Sequence, residues 1–192
     1  DPTDPTSNPQ DRGLAYDLST PLFTDYASKY RFVFVPPGCA AQYDGDEIFD
    51  FPIGTTLVKS FAVPSNTANR GIENEDLIET RLLIKRSTGW IAIPYVWNAQ
   101  GTDATRQVIA KVVNKDITHS GSNYNFDYVV PSAQDCVTCH SLEEVGDTSS
   151  KNIAIGPKAR YLNSTYQYTD GSSNQLSKWK AKQLLSGLPS LS

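Results

Sequence analysis

Two cysteines and a histidine stand together at Cys136-Val137-Thr138-Cys139-His140. C-x-x-C-H is the attachment pattern of a c-type haem. The two thiols form thioethers with the vinyl groups of one macrocycle, and the adjacent imidazole lies under the iron. The two-residue spacing lets one helical turn present both sulfurs to one edge of the ring. A redox disulfide and half of a zinc site share the C-x-x-C core. A thioredoxin-like site needs a βαβ pattern, which the chain lacks. A zinc site needs two further ligands nearby, and Cys39 and His119 lie far off in sequence. Attachment of one haem through Cys136 and Cys139, with His140 as proximal iron ligand, is the reading that uses all three residues. Cys39, which follows Pro36-Pro37-Gly38, reads as a free, semi-buried thiol.

The chain contains no methionine, so a histidine–methionine pair is excluded, and a lower potential is expected unless burial offsets the loss. His119 is the other histidine and falls in a hairpin-like stretch, His119-Ser120-Gly121-Ser122-Asn123. Two readings stay open for it. As the sixth ligand it gives a bis-histidine, low-spin iron suited to electron transfer. As a solvated loop residue it leaves the iron five-coordinate, or bound by lysine, tyrosine or water.

The elements that must position these residues are mainly strands. Apolar, β-branched and alternating runs at 31–35, 55–63, 77–85 and 90–97 are separated by Pro, Gly and polar loops. Pro94 inside the fourth run implies an edge or a bulge. Runs at 108–118 and 124–130 read as a hairpin. Residues 134–144, which carry the haem motif, are expected to turn helical. Residues 172–186 form the clearest helical pattern, with Leu176, Trp179, Gln183 and Leu184 on one face and Gly187 and Pro189 as the stop. The expected fold is mainly β (α+β): an antiparallel sheet packing on a c-type haem, with a haem-motif helix and a C-terminal helix. Residues 1–12 read as a flexible N-terminal segment and 13–192 as a single haem-binding domain, β-rich over 30–130, with the haem motif and a helical tail over 131–192.

A net charge of -4 argues against nucleic acid as a partner, and no apolar run approaches the roughly 20 residues that span a bilayer. The acidic loop at 44–50 lacks the spacing and glycine of an EF-hand and reads as solvated. Asn163-Ser164-Thr165 is a formal glycosylation triplet.

Ordered blocks across nearly the whole chain resemble a largely uncharacterised bacterial family of exported, mono-haem c-type cytochromes. They include YDLSTPLFTDYASKYRFVFVPPG, IETRLLIKRSTGWIAIPYVWNAQGTDA, CVTCH and IGPKARYLNSTYQYTDGSSNQLSKW. The shorter block Phe51-Pro52-Ile53-Gly54-Thr55-Thr56-Leu57-Val58-Lys59 is similar to the F-x-x-G-T-x-x-x-K strand of the cytochrome c′-beta family and its hydroxylamine-oxidising relatives. That resemblance implies an antiparallel sheet with the haem packed on it. It also points to Lys59, since the matching lysine is cross-linked to the haem in the hydroxylamine-oxidising members; an ordinary strand lysine with its ammonium in solvent is the other reading. Arg81, Lys158 and Arg160 are candidates for pairing with haem propionates, and Trp179, Tyr161 and Tyr166 for covering its face.

The preferred function is electron transfer rather than catalysis, with redox proteins as partners and self-association as a further expectation. The alternative is a haem enzyme or gas-binding protein with an open distal site for nitric oxide, hydroxylamine or peroxide. Covalent haem attachment implies maturation on the export side, hence the periplasm or the cell surface.

Overall fold

The computed structural model describes residues 9, 13–132, 135, 141–142 and 151–190. Cys136, Cys139 and His140 lie outside the described residues. In chain order the elements are β1 (Leu14–Tyr16), β2 (Ser28–Phe34), β3 (Ala41–Gln42), β4 (Thr56–Pro64), β5 (Glu75–Arg86), β6 (Gly89–Trp97), β7 (Ala104–Arg106), β8 (Lys111–His119), β9 (Ser122–Val130), β10 (Ser141–Leu142), β11 (Lys151–Asn152), α1 (Ala159–Leu162), β12 (Thr165–Tyr168), β13 (Gly171–Asn174), α2 (Gln175–Ala181) and β14 (Leu185–Ser186). The protein is mainly β. Its centre is a six-stranded sheet in the order β1-β2-β4-β5-β6-β7, with every pairing antiparallel.

Alternation along the strands gives this sheet one working face. Register aligns three rows across it. Leu14, Val33, Leu57, Leu83 and Ala92 form an apolar row; Tyr16, Arg31, Lys59, Arg81 and Pro94 form the next; Phe61, Glu79 and Val96 follow beyond it, with Lys29 opposite Phe61. A register shift between Phe61 and Ala62 leaves Ile78 as an extra residue on β5. Such a bulge bends and twists the strand, and Ile78 joins the cluster beside Phe61 and Val63.

Two apolar clusters sit on this face. One gathers Val33, Leu57 and Trp90 with Phe49, Phe51 and the tail residues Leu162, Leu176, Trp179 and Leu184. The other packs Ile117, Tyr128 and Val130 of the β8–β9 hairpin on Phe61, Val63 and Val96. The hairpin turns through Ser120 (φ 50°) and Gly121 (φ 79°), and two positive φ values are what a two-residue type I′ loop requires.

Pro94 causes no break. Its carbonyl accepts from Gln107 N–H at 2.9 Å, so its nitrogen points to the same side, and the β7 ladder begins only at Tyr95. The missing donor falls just beyond that ladder.

The tail differs from the helix expected over 172–186. Residues 171–174 are strand β13, paired with β12. The helix starts only at Gln175, where the Asn174 side chain caps Ser177 N–H. It stops at Ala181, and Gln183 turns left-handed (φ 57°). Leu185–Ser186 then pairs in parallel with Ala41–Gln42. Helix was also expected through 144, but Ser141–Leu142 is a strand paired with Lys151–Asn152. Cys39 is exposed rather than semi-buried. Among the described residues no helix is long and apolar enough to cross a membrane.

Candidate cofactor site

A cleft of about 630 Å³ opens over the middle of the sheet face, within the range of about 300–1,000 Å³ common for cofactor and ligand sites. Its floor is Arg31, Lys59 and Arg81 with Leu57 and Leu83, and its far wall is the segment 153–158 with Arg160 and Tyr161. Pro131 and Asp135 line it where β9 ends. All four residues singled out as cofactor-binding candidates, Lys59, Arg81, Lys158 and Arg160, line this one cleft.

Asp135 immediately precedes Cys136. Its Oδ2 accepts from Ser132 N–H and Ser132 Oγ, both at 2.8 Å, and its own N–H donates to Ser132 Oγ at 3.2 Å. This reciprocal pair is a capping box, the device that starts a helix, and Asp135 already has helical backbone. The bonds from Ser132 hold its carboxyl below the usual carboxylate range. Asp135, the residue before Cys136, therefore stands at the rim of the cleft.

The cleft is electropositive. Lys29, Arg31, Lys59, Arg81, Lys158 and Arg160 line it against Glu47 and Asp135. Most of these cations have protein partners. Arg31 pairs with Asp17, and Asp17 is clamped by Gln175, which accepts from its N–H at 2.8 Å and donates to its carbonyl at 2.9 Å. Arg81 forks onto buried Glu79 at 2.8 and 2.6 Å, and Tyr128 donates to the same carboxylate at 2.8 Å. Lys158 donates to Glu47 at 2.8 Å and Arg160 to the Asp46 carbonyl at 3.1 Å. Lys29 donates to the Leu22 carbonyl.

Lys59 is the exception. Among the described residues its ammonium has no hydrogen-bond acceptor and no ion-pair partner, and its neighbour is the Phe61 ring, 5.1 Å from Nζ to centroid. Burial, with Arg81, Arg31 and Lys29 alongside, lowers it from 10.5 to about 8. Lys29 is likewise lowered to about 8, by burial first and then by Arg31 and Arg81. Desolvation and crowding by like charge act in the same direction.

Set beside known proteins, the chain matches no family model, no curated protein and no solved structure. The resemblances read from sequence blocks gain no support there.

His119 lies elsewhere. Its Nδ1 bonds Thr67 Oγ1 at 2.8 Å, and its ring packs on Tyr26 at 4.7 Å and Tyr124 at 6.4 Å. It is not among the residues lining the cleft; the hairpin that carries it docks on the second apolar cluster. Trp179 does not cover the cleft either, since it is fully buried in the first cluster against Tyr16 and Phe49. Tyr166 packs on Tyr168, whereas Tyr161 does line the cleft. A second cleft, of about 640 Å³, lies between β5–β6 and the start of β8, and holds none of the candidate residues.

Sequence reasoning missed Arg31, Lys29, Asp17 and Glu79. A signal was present: β2, β4 and β5 each interrupt an apolar alternation with a cation at Arg31, Lys59 and Arg81. Only register shows that the three interruptions coincide.

Proposed function

We propose that this chain is a c-type cytochrome that carries one covalent haem in the cleft and works in electron transfer. The observation that carries the reading is the location of Asp135. The residue before Cys136 lines a cleft whose size suits a cofactor and whose floor is a cationic row between two apolar zones. A haem has the matching chemistry, a flat apolar ring with two carboxylates. The residues present fit that group.

Cys136 and Cys139 would hold the macrocycle and His140 the iron, which supplies one-electron redox chemistry. Leu57 and Leu83 on the floor and Ala154 on the far wall would give the ring apolar neighbours. Lys29, Lys158 and Arg160, at the borders of the cleft, suit the propionates; Lys158 and Arg160 would exchange the Glu47 and Asp46 contacts they make here. Arg81 is less available than its sequence position promised, because Glu79 takes its Nε and Nη2. Electron-transfer partners, self-association and an exported location belong to the same proposal.

The test is production with a c-type maturation system. A mass increase of one haem on the intact chain, and its loss in Cys136→Ala, would support the reading. A colourless chain of unmodified mass would end it. Rapid carbon monoxide binding by the reduced protein would favour an open-site enzyme or gas binder over a carrier.

A further inference from the structure

We infer that the side-chain amine of Lys59 is the sixth ligand of the iron. The inference rests on the proposed haem site and assigns its distal face. Three observations carry it. First, position: Lys59 lies on β4, an interior strand, and stands between Arg31 and Arg81 in the row that crosses the floor. The Lys158 and Arg160 cations lie on the opposite wall, so the cleft offers border cations for carboxylates and one central amine for a metal.

Second, availability: the other five cations lining the cleft each engage a protein acceptor, whereas Lys59 among the described residues engages none. Coordination turns its ammonium into a neutral amine and releases one proton to solvent. The row then holds two arginines, each already paired with a carboxylate, and no uncompensated charge. A propionate at Lys59 would also satisfy the charge, but it would drive a carboxylate into the middle of the floor, beside the Leu57 and Leu83 side chains.

Third, elimination: the chain has no methionine. His119 is held by Thr67 and stacked on Tyr26 away from the cleft. Of the two phenols that line the cleft, Tyr16 is buried in the same row and pushed up to about 12 by that burial, and Tyr161 stands with the 153–158 segment away from the row, its ring under the Arg160 guanidinium at 5.0 Å.

The experiment uses the matured, haem-loaded full chain, with Lys59→Arg and His119→Ala beside it. Arginine keeps a cation for a carboxylate but does not ligate iron. The expected ferric wild type is low-spin, with the near-infrared charge-transfer band of histidine–amine ligation. Protein labelled with 15N-lysine is expected to show a hyperfine coupling to the iron in pulsed electron paramagnetic resonance. Lys59→Arg should turn high-spin and bind carbon monoxide when reduced, with the covalent haem still present by mass; His119→Ala should match wild type. A high-spin wild type, a Lys59→Arg protein that stays low-spin, or loss of the low-spin signal in His119→Ala would overturn the inference while leaving the haem reading intact. If Lys59→Arg does not fold, the label decides in wild type alone: coupling supports the inference and its absence overturns it. A chain that takes no haem fails the earlier reading, and this inference with it.

Discussion

Arg31 and Lys59 are directly opposed across β2 and β4, like charges at a position where sheets gain by pairing opposite ones. Arg81 faces Lys59 from the other side. The fold tolerates this row through two carboxylates, Asp17 and Glu79, each spent on an arginine. Among the described residues Lys59 is left with no carboxylate paired to it, beside the Phe61 ring.

Removing that charge should stabilise the chain when no haem is attached. In a Cys136→Ser/Cys139→Ser background, Lys59→Leu is expected to raise unfolding free energy by about 0.5–1 kcal/mol, from relief of like-charge opposition. Urea unfolding reads the change. A loss of stability would show that Lys59 is compensated.

Glu79 should matter to the stability of the sheet face. It is fully buried and takes both Arg81 and Tyr128. Glu79→Gln removes the carboxylate onto which the half-buried Arg81 guanidinium forks, and is expected to cost about 2–3 kcal/mol. Tyr128→Phe removes one hydrogen bond to a charged acceptor and should cost about 1.5 kcal/mol. Chemical denaturation of both variants, with unchanged denaturant slopes, checks the pair. Equal and negligible effects would count against a buried network.

Stability of the haem-free chain should rise between pH 8 and pH 10 before it falls. Lys29 and Lys59 titrate near 8 in the fold and near 10.5 when unfolded. Across that interval the unfolded state binds more protons, so stability increases with pH. Four tyrosines have the opposite sign: burial lifts Tyr16 to about 12 and pushes Tyr30, Tyr128 and Tyr168 up as well, so above 10 the unfolded phenols ionise first and together they outweigh the two lysines. Melting temperatures at pH 7, 9 and 11 should show a maximum at the middle value. Lys29→Met/Lys59→Met should flatten the rise and keep the alkaline fall. A melting temperature lower at pH 9 than at pH 7 would contradict the account.

Trp179 tests how the tail is fastened. Among the described residues its Nε1 has no hydrogen-bond partner, so its contribution is packing against Tyr16 and Phe49. Trp179→Phe should cost about 1 kcal/mol or less, and Trp179→Ala about 3–5 kcal/mol. A large penalty in the phenylalanine variant would mean that the indole nitrogen does bond.

The long strands β2, β4, β5, β6, β8 and β9 were legible from their apolar, β-branched runs, and β4 reads Leu57, Lys59, Phe61, Val63 inward with little ambiguity. The short strands such as β1 and β7 carry too few residues to show a pattern. The hairpin was legible from its Ser120-Gly121 turn. The tail was misread because Ser172, Ser173 and Asn174 sit within a pattern that also fits a helix. What decides there is a cross-strand partner, Thr165–Gln167, that no local window contains. Lys59, Arg81, Lys158 and Arg160 were named one by one, and their convergence in one cleft depends on register and on the return of the chain at 153–161. Asp17, Glu79 and Gln175 escaped notice because their roles are to answer charges and amides distant in sequence. His119 was singled out because it is the one histidine besides His140; that Thr67 and Tyr26 hold it outside the cleft carries no sequence signal.

The parallel ladder between β3 and β14 has a consequence for the order of assembly. Ser186 and Gln42 meet across 144 positions, a closure whose entropic cost falls due only when the distal segment arrives. The helix and strands that follow residue 158 also supply the back of the first apolar cluster. A chain emerging from its amino end therefore carries Cys136 and Cys139 out ahead of the tail, and under the haem attachment proposed above a maturation enzyme would have an interval of access that precedes the docking of Leu185 beside Ala41.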